Sequence, residues 1–235
     1  MKRYEVRSSE NRKLFSQIAT QYDFLNHLLS LNIDRSWRKK LVESAGVKSE
    51  DSVIDVCTGT ADIALRFAQE DSVGNIIGID QSDEMLDIAR RKINSNGLGR
   101  KITLIKGNAL DLPFEDSSFD IVSIGFGLRN IGYHREAISE MVRVLKNRGR
   151  FLVLEFSPPP KNLFGIFYGL FLKNILTPIG GIVSGSFEAY RYLSTSIAEF
   201  PKPDEILRFM KEEKLRNVSY DRLTFGIACI YRGEK

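Results

Sequence analysis

The sequence predicts an α/β fold in which a mostly parallel sheet is wrapped by helices and finished by an antiparallel hairpin. Short apolar runs at residues 52–56, 75–80 and 101–106 have the length and composition of buried strands. They alternate with segments whose apolar residues recur at helical spacing, which is typical of parallel sheets with crossover helices. Near the C-terminus, two further runs flank residues 224–226 and read as the arms of a hairpin.

The first predicted strand ends in a tight turn followed by a helix, the place where an open α/β sheet binds its ligand. A dinucleotide site has three alternating glycines in such a turn, because a pyrophosphate must approach closely. Here the three positions are Cys57, Gly59 and Ala61. S-adenosylmethionine has no phosphate and needs one close backbone approach, so the turn favours this cofactor. We expect Asp55 and Gly59 at the binding site; a well-packed strand-to-helix junction is the alternative.

The second and third predicted strands add polar residues at the same edge of the sheet. Asp80 ends the second strand, at a spacing from Asp55 close to the ~20 residues at which an acid meets a ribose in nucleotide-binding sheets. A carboxylate there can accept from both ribose hydroxyls, although Asp80 is also placed to cap the helix that begins near Asp83. Asn108 follows the third strand and offers a donor and an acceptor to an adenine edge.

The fourth and fifth predicted strands lead to residues suited to a substrate site. Residues 118–124 run into a turn with two glycines, and Arg129 just beyond it can reach a substrate; a turn with a solvated arginine is the alternative. The fifth strand, residues 150–156, places Glu155 near its end, facing either the site or the core. With a helix over residues 203–214 and the hairpin, this is the layout of class I methyltransferases, which have a Rossmann-like, mostly parallel seven-stranded sheet.

The chain has 235 residues, 43% of them hydrophobic, so it can bury one substantial core. We expect a single domain over residues 1–235 with two additions. Residues 1–48 form a helical cap before the sheet, whose polar side chains can close the cofactor pocket; the alternative is that Tyr22 and Trp37 are core aromatics and Asp23 ends a helix. Residues 161–200 include an apolar insert over the substrate site, interrupted by a lysine that disfavours a membrane span. We expect this insert to hold a lipidic tail or lie on a membrane surface; an interface between copies of the chain, or ordinary core, is the alternative.

Charge and cysteine content bear on the partners of the protein and on the compartment where it works. A net charge of +4 is compatible with an anionic membrane surface or RNA and does not decide the partner. Cys57 and Cys229 make no disulfide framework, so we expect a cytoplasmic protein, with peripheral contact at the inner face of the membrane as an extension of that expectation. Residues 1–7 show no secretory signal. His27 and His134 belong to no ligand cluster, and we expect no metal.

Three further groups of residues form a recognisable combination. They are Tyr22-Asp23-x-x-Asn26 with Ser30 and Trp37, the Phe-Gly-Leu-Arg-Asn run at 126–130, and residues 143–146 leading to 154–157. Together these motifs resemble the ubiquinone/menaquinone biosynthesis C-methyltransferase family over nearly the whole chain. The resemblance implies methylation of a ring carbon of a prenylated quinol, with S-adenosyl-L-methionine as methyl donor. By motif matching, the cofactor contacts of the family fall on Thr60, Asp80, Asn108 and Ala109.

The chain departs from the family pattern at four places. Thr58 and Ala61 stand where relatives commonly have glycines, and Asp34 replaces a usual histidine. Residues 147–149 replace a usual Pro-Gly-Gly, and Gly125 stands where some relatives place a serine that touches the cofactor. These changes bear on the identity of the substrate more than on the use of the cofactor.

The implied reaction needs a group that holds a phenolate and a group that accepts a proton. Ionisation of a quinol hydroxyl makes the ortho carbon nucleophilic, and proximity to the sulfonium methyl supplies about 7–11 kcal/mol of barrier lowering. Arg129 is the best candidate to hold the phenolate, and Tyr22, Asp23, His27 and Glu155 are candidates for the proton acceptor. An oxidised quinone lacks the hydroxyl, so activity should require the reduced substrate.

Three other hypotheses remain open at this point. The same fold and cofactor can serve another small molecule or RNA; RNA calls for a basic stripe with stacking aromatics, which the sequence lacks, so we expect no nucleic-acid partner. An NAD-dependent oxidoreductase is disfavoured by the missing glycines. A non-catalytic member of a membrane-associated complex would bind lipid or protein without transferring a methyl group. The sequence does not distinguish a benzoquinol from a naphthoquinol, nor a monomer from a homo-oligomer.

Overall fold

The computed structural model describes residues 32–159 and 187–235. Seven strands form one sheet in the order β3-β2-β1-β4-β5-β7-β6. The first five strands are parallel, and β7 runs antiparallel to both β5 and β6. The strands are β1 (Asp51–Val56), β2 (Val73–Asp80), β3 (Ile102–Lys106), β4 (Phe119–Gly125), β5 (Leu145–Phe156), β6 (Arg216–Leu223) and β7 (Ala228–Glu234).

Helices connect these strands and cover the sheet. In the described residues they are α1 (Asp34–Ser44), α2 (Asp62–Ala68), α3 (Asp83–Ser95), α4 (Leu128–Ile131), α5 (His134–Val144), α6 (Phe187–Glu199) and α7 (Pro203–Glu212). A 3-10 turn, Thr224–Gly226, joins β6 to β7. None of the helices in these parts of the chain is long and apolar enough to cross a membrane.

The helices divide the buried side chains into two clusters, one on each face of the sheet. Trp37 and Leu41 of α1, Phe67 of α2 and Ile93 of α3 belong to the first cluster. The second cluster contains Ile138 and Met141 of α5 and Ile206 and Met210 of α7. Both faces of the parallel strands are therefore covered, which is why those strands read as continuous apolar runs rather than as an alternating pattern.

The direction in which successive strands are added reverses between β1 and β4, near the centre of the sheet. The chain moves from β1 outward to β2 and β3, then returns to pair β4 with the other side of β1. In such sheets the connections diverge at this point and leave a crevice outside the carboxyl ends of the strands. The predicted fold class is confirmed, including the antiparallel hairpin at the end.

Element boundaries differ from the prediction mainly at the fifth strand. It begins at Leu145, five residues before the predicted start, and Leu145 pairs with Phe119 of β4. The register then shifts between Phe119 and Ile121, which accommodates the polar stretch 146–149 within the strand. That polar stretch has no strand pattern, so sequence periodicity does not reveal it.

Only parts of the two predicted additions belong to the described residues. Of the predicted cap at residues 1–48, the structure describes α1, whose Trp37 is buried in the core. Of the predicted insert at residues 161–200, it describes α6 onward. The predicted site residues Tyr22 and Asp23, and the base candidate His27, lie outside the described residues.

Candidate active site

The turn after β1 is fixed to the end of β2 by backbone hydrogen bonds. The Gly59 amide donates to Oδ2 of Asp80 over 2.9 Å, and the Thr58 amide donates to the Ile79 carbonyl over 3.0 Å. The Gly107 amide, just after β3, donates to the Asp80 carbonyl over 2.9 Å. Three of the predicted site segments are thereby held together around Asp80.

Alternate residues of this turn have left-handed backbone conformations. Their φ angles are 53° at Cys57, 56° at Gly59 and 68° at Ala61. A residue with a β-carbon is disfavoured there by roughly 1–2 kcal/mol, so only the glycine adopts the conformation freely. The turn thus keeps the three-position geometry of a glycine-rich loop although two of the positions carry side chains. Such outliers persist where the surroundings impose them, and they concentrate at binding sites.

Asp80 is partly exposed at the end of β2 and connects the turn to the next helix. Its Oδ1 accepts from the Ser82 amide over 3.0 Å, while Oδ2 is bonded to Gly59. Ser82, rather than Asp80, caps α3, because its hydroxyl accepts from the Met85 amide over 3.2 Å. Each carboxylate oxygen has a further lone pair, so both can accept from a ligand hydroxyl. Burial raises the pKa of Asp80, and its amide donors act in the opposite direction.

Asp55 lies beneath this crevice rather than at its surface. The side chain is buried, and its two oxygens accept from the hydroxyls of Thr58 over 2.7 Å and Ser123 over 2.9 Å. Burial raises its pKa to about 6, although both hydroxyl contacts oppose the shift. The carboxyl therefore joins β1, β4 and the turn, and it supports the site from below.

Thr60 enters a chain of polar contacts that the sequence analysis did not predict. Its hydroxyl accepts from Nζ of Lys92 on α3 over 3.0 Å, and Lys92 also pairs with Asp62 at the start of α2. Asp62 in turn lies 3.4 Å from Nη2 of Arg38, which pairs with Asp34 on α1. The network ties three helices to the turn. Only the spacing of Asp34 and Arg38 along one helix could have indicated part of it.

Asn108 and Ala109 lie at the neighbouring strand end. Oδ1 of the exposed Asn108 side chain accepts from Nε2 of Gln81 over 2.8 Å and from the Leu110 amide over 3.1 Å. The Oδ1 acceptor of Asn108 is thus already hydrogen-bonded within the protein, so its Nδ2 donor is the group suited to a ligand. Ala109 is buried. Gln81 is a further polar residue of the site that the sequence analysis did not predict. Its position directly after Asp80 is the signal that could have indicated it.

Arg129 and Glu155 form a buried ion pair between α4 and β5. Their side chains are 1% and 0% exposed, and Nη1 lies 2.8 Å from Oε1. Glu155 also accepts from the backbone amides of Arg129 over 3.1 Å and Phe156 over 2.9 Å. The alternative of a solvated arginine is wrong. The expected contact of Arg129 with a phenolate is not what this geometry presents, because the guanidinium points to Glu155 and the Phe126 carbonyl.

Aromatic rings cover this ion pair. Phe126 and Phe156 lie 4.8 Å apart between ring centroids, and Trp37 packs on Phe156 edge-on at 6.0 Å. The Arg129 guanidinium lies 5.5 Å from the Phe156 ring centroid. We call Trp37, Phe126 and Phe156 the aromatic cluster. It stands beside the ends of β4 and β5, next to the crevice.

Two further contacts define the segment after β4. Asn130 donates from Nδ2 to the Phe126 carbonyl over 3.3 Å, and its Oδ1 accepts from the Tyr192 hydroxyl over 3.0 Å. Helix α6 is therefore attached to the segment that carries Arg129. Across residues 32–159 and 187–235, no group of histidine, cysteine and acidic side chains is arranged to hold a metal ion.

Comparison with known sequences gives full-length matches. A family model described as the ubiE/COQ5 methyltransferase family matches residues 3–235. Demethylmenaquinone methyltransferase of Thermus thermophilus is 42% identical over 222 residues, covering 94% of this chain and 100% of that protein. Ubiquinone/menaquinone biosynthesis C-methyltransferase UbiE of Bdellovibrio bacteriovorus is 43% identical over 223 residues, covering 94% of each chain.

Solved structures agree on the fold. A SAM-dependent methyltransferase from Aquifex aeolicus has a TM-score of 0.58 at 15% identity, covering 84% of this chain and 88% of that one. Phosphoethanolamine N-methyltransferase 2 of Haemonchus contortus, in complex with S-adenosyl-L-methionine, has a TM-score of 0.66 at 15% identity, covering 85% and 52%. Because the family model matches nearly every residue and the relatives are about 40% identical over most of the chain, the chain belongs to the ubiE/COQ5 methyltransferase family and is a methyltransferase.

Proposed function

We propose that this enzyme transfers a methyl group from S-adenosyl-L-methionine to a ring carbon of a prenylated quinol in quinone biosynthesis. The observation that carries the proposal is the Asp80 carboxylate, held by the Gly59 amide at the mouth of the crevice beside an aromatic cluster. The relatives named demethylmenaquinone methyltransferase support the demethylmenaquinol-to-menaquinol type of reaction.

The described residues suit the cofactor at each of its ends. Asp80 offers two carboxylate oxygens with lone pairs left for ribose hydroxyls, and the Nδ2 donor of Asn108 suits an adenine ring. Gly59 and Thr60 lie where the methionine end would approach the turn, with Asp55 fixing the turn from below. When bound, the cofactor supplies an electrophilic methyl group on a sulfonium. The protein contributes orientation, and Ala109, buried just after β3, stays a proposed cofactor contact.

The acceptor pocket is assigned to the segment after β4, which the buried aromatic cluster supports from within the core. We assign Arg129 a positioning role in this proposal: paired with Glu155, it holds residues 126–130 against β5. Glu155 already accepts three hydrogen bonds, so it is poorly placed to take a substrate proton. Tyr22 and Asp23 remain the proposed proton acceptors.

The proposal also covers the setting of the enzyme. The prenyl tail confines the substrate to a bilayer, so we place the enzyme in the cytoplasm with peripheral contact at the inner face of the membrane. The apolar insert of the sequence is the proposed cover for the tail. Association of copies of the chain is a separate part of the proposal.

The experiment that tests the proposed function is product analysis with labelled S-adenosyl-L-methionine. Demethylmenaquinol, its benzoquinol counterpart and the oxidised form of each are offered separately to the full-length enzyme. We expect a ring-methylated product from a reduced substrate and none from its oxidised form, because only the quinol ionises to a phenolate. Equal turnover of quinol and quinone would exclude the phenolate mechanism. Absence of product from both quinols would exclude this acceptor class.

A further inference from the structure

Two large apolar side chains are exposed in the described parts of the chain. Phe225 is 80% exposed and Ile33 is 38% exposed. Phe225 occupies the tip of the hairpin between β6 and β7, where Thr224, Phe225 and Gly226 have φ angles of 44°, 57° and 92°. Left-handed backbone at consecutive residues with side chains is strained, and strain of this kind indicates a constrained functional position. A phenylalanine is an unusual occupant of such a tip.

Ile33 and Phe225 are both close in the chain to residues that form one hydrogen bond between α1 and the hairpin tip. The Trp37 indole donates from Nε1 to the Thr224 hydroxyl over 2.9 Å, which fixes α1 to the hairpin tip. The Trp37 amide donates to the Ile33 carbonyl over 3.1 Å, so Ile33 lies one helical turn away. Ile33 thus lies one helical turn before one partner of the Trp37 to Thr224 bond, and Phe225 directly follows the other partner. Together we call Ile33 and Phe225 the apolar lip.

The apolar lip adjoins the proposed acceptor pocket. Trp37 is a member of the aromatic cluster and packs on Phe156 at the end of β5. The Ser157 amide, directly after β5, donates to the Ile227 carbonyl over 2.9 Å, beside the hairpin tip. The lip is thus connected through Trp37 and the end of β5 to the buried cluster that supports the proposed pocket.

Exposed cations lie close in sequence to both residues of the lip. The exposed face of α1 carries Arg35, Lys39 and Lys40 against one exposed acid, Glu43. Arg222 is exposed three residues before Phe225. An apolar tip flanked by lysine and arginine suits the interface of an anionic bilayer, where apolar side chains enter the acyl boundary and cations meet the headgroups.

We propose that the apolar lip of Ile33 and Phe225 is the surface by which the enzyme docks on an anionic bilayer. This proposal rests on the proposed function, since a prenylated substrate explains why the lip stands next to the acceptor pocket. Docking there brings the pocket to the level of the headgroups, and the quinol ring enters while the far end of its tail stays in the bilayer. The bilayer is the occupant that the flanking cations favour over a protein partner.

Vesicle co-sedimentation of the full chain tests the docking surface. Vesicles of phosphatidylcholine with a quarter phosphatidylglycerol are compared with pure phosphatidylcholine. We expect stronger binding to the anionic vesicles, and a loss of about tenfold for Phe225→Ser, the effect of withdrawing one phenylalanine from an apolar phase. Phe225→Trp should retain binding, because tryptophan is favoured at membrane interfaces. Equal binding of wild type and Phe225→Ser, or no preference for anionic vesicles, would overturn the proposal.

A charge-reversal pair supplies the matched control. Arg222→Glu should weaken binding to anionic vesicles about fivefold or more. Arg148→Glu should leave binding unchanged, because Arg148 lies near the amino end of β5, away from the hairpin tip, where its amide donates to the Lys235 carbonyl. Equal effects of the two reversals would show a response to net charge alone and overturn the assigned surface.

A second assay separates this proposal from the proposed function. Phe225→Ser and wild type are given a soluble short-tailed quinol and, separately, a long-tailed quinol embedded in the vesicles. We expect equal turnover of the soluble quinol and reduced turnover of the embedded one for Phe225→Ser. Loss of both would place Phe225 in the site or the fold and overturn docking. If wild type fails on the soluble quinol, the proposed function is contradicted, while vesicle binding still tests the lip independently.

Discussion

At the scale of single residues, the turn after β1 shows how a site geometry survives changes in sequence. Cys57 keeps a left-handed conformation, and its side chain occupies space next to Gly127, in the connection between β4 and α4. A β-carbon added at Gly127 would lie 2.5 Å from the Cβ of Cys57. The two positions are therefore coupled, because a side chain at one requires its absence at the other.

This coupling predicts the effect of a substitution pair. Gly127→Ala should lower the free energy of unfolding by about 1–3 kcal/mol, the usual effect of overpacking a buried position. The same substitution in a Cys57→Gly background should have a much smaller effect, because the opposing β-carbon is gone. Urea denaturation of the four proteins gives the coupling energy. An identical loss in both backgrounds would show that the clash is not the cause.

Asp55 supports a prediction of pH dependence. Burial raises its pKa from 3.8 to about 6, so the folded state holds the proton more tightly than the unfolded state. Stability contributed through Asp55 is therefore greatest at low pH and falls as the pH rises from about 4 to about 6, by roughly 3 kcal/mol at most. The difference in unfolding free energy between wild type and Asp55→Asn, measured at several pH values, should follow this curve. A difference that is flat across the range would contradict the raised pKa.

At the scale of elements, charged pairs fix helices to the site. Lys92 of α3 contacts both Thr60 and Asp62, so it connects the turn to two helices. The pair of Arg90 and Asp87 lies on the same helix but is exposed on both sides. Exposed pairs contribute little to stability, whereas partly buried ones that orient a loop affect what the loop binds.

Lys92→Met should weaken binding of S-adenosyl-L-methionine about tenfold, because Thr60 loses a hydrogen bond that orients the turn. Arg90→Met is the control and should bind the cofactor like wild type. Isothermal titration calorimetry on the two variants distinguishes them. Equal affinities for Lys92→Met and the control would remove Lys92 from the supporting network.

The pair of Arg129 and Glu155 gives a prediction on how α4 is held to β5. Removing one partner leaves a buried charge uncompensated, so Arg129→Met or Glu155→Gln alone should lower the unfolding free energy by about 3–5 kcal/mol. The double variant should lose less than the sum of the two, because no buried charge remains. Chemical denaturation of the three variants measures this. Additive losses would indicate that the two side chains act separately.

At the scale of the whole molecule, the sequence predicted the fold class and the family, and both are confirmed. Apolar periodicity was sufficient because the parallel strands are buried on both faces. The positions of Gly59, Asp80 and Asn108 followed from the same logic, since carboxyl ends of parallel strands share one edge. Their roles toward a ligand stay predictions.

What the sequence did not predict depends on contacts between distant segments. The buried Asp55 carboxyl is hydrogen-bonded by Ser123 on the neighbouring strand, and the buried Arg129 is paired with Glu155 on β5. The spacing of residues along the sequence does not show which side chain will pair with a buried charge. Lys92 was missed for the same reason, because its partners lie in the turn and in α2.

The measurement that tests the account most directly is transfer of labelled methyl to the reduced quinol by wild type, Asp80→Asn and Asp87→Asn. Asp80 is held at the mouth of the crevice, whereas Asp87 is exposed on α3. We predict that Asp80→Asn lowers kcat/KM for S-adenosyl-L-methionine about 100-fold, since hydrogen bonds to a charged acceptor are each worth about 1.5–3 kcal/mol, while Asp87→Asn behaves like wild type. Wild-type kcat/KM in Asp80→Asn would contradict the assignment of the cofactor to this crevice.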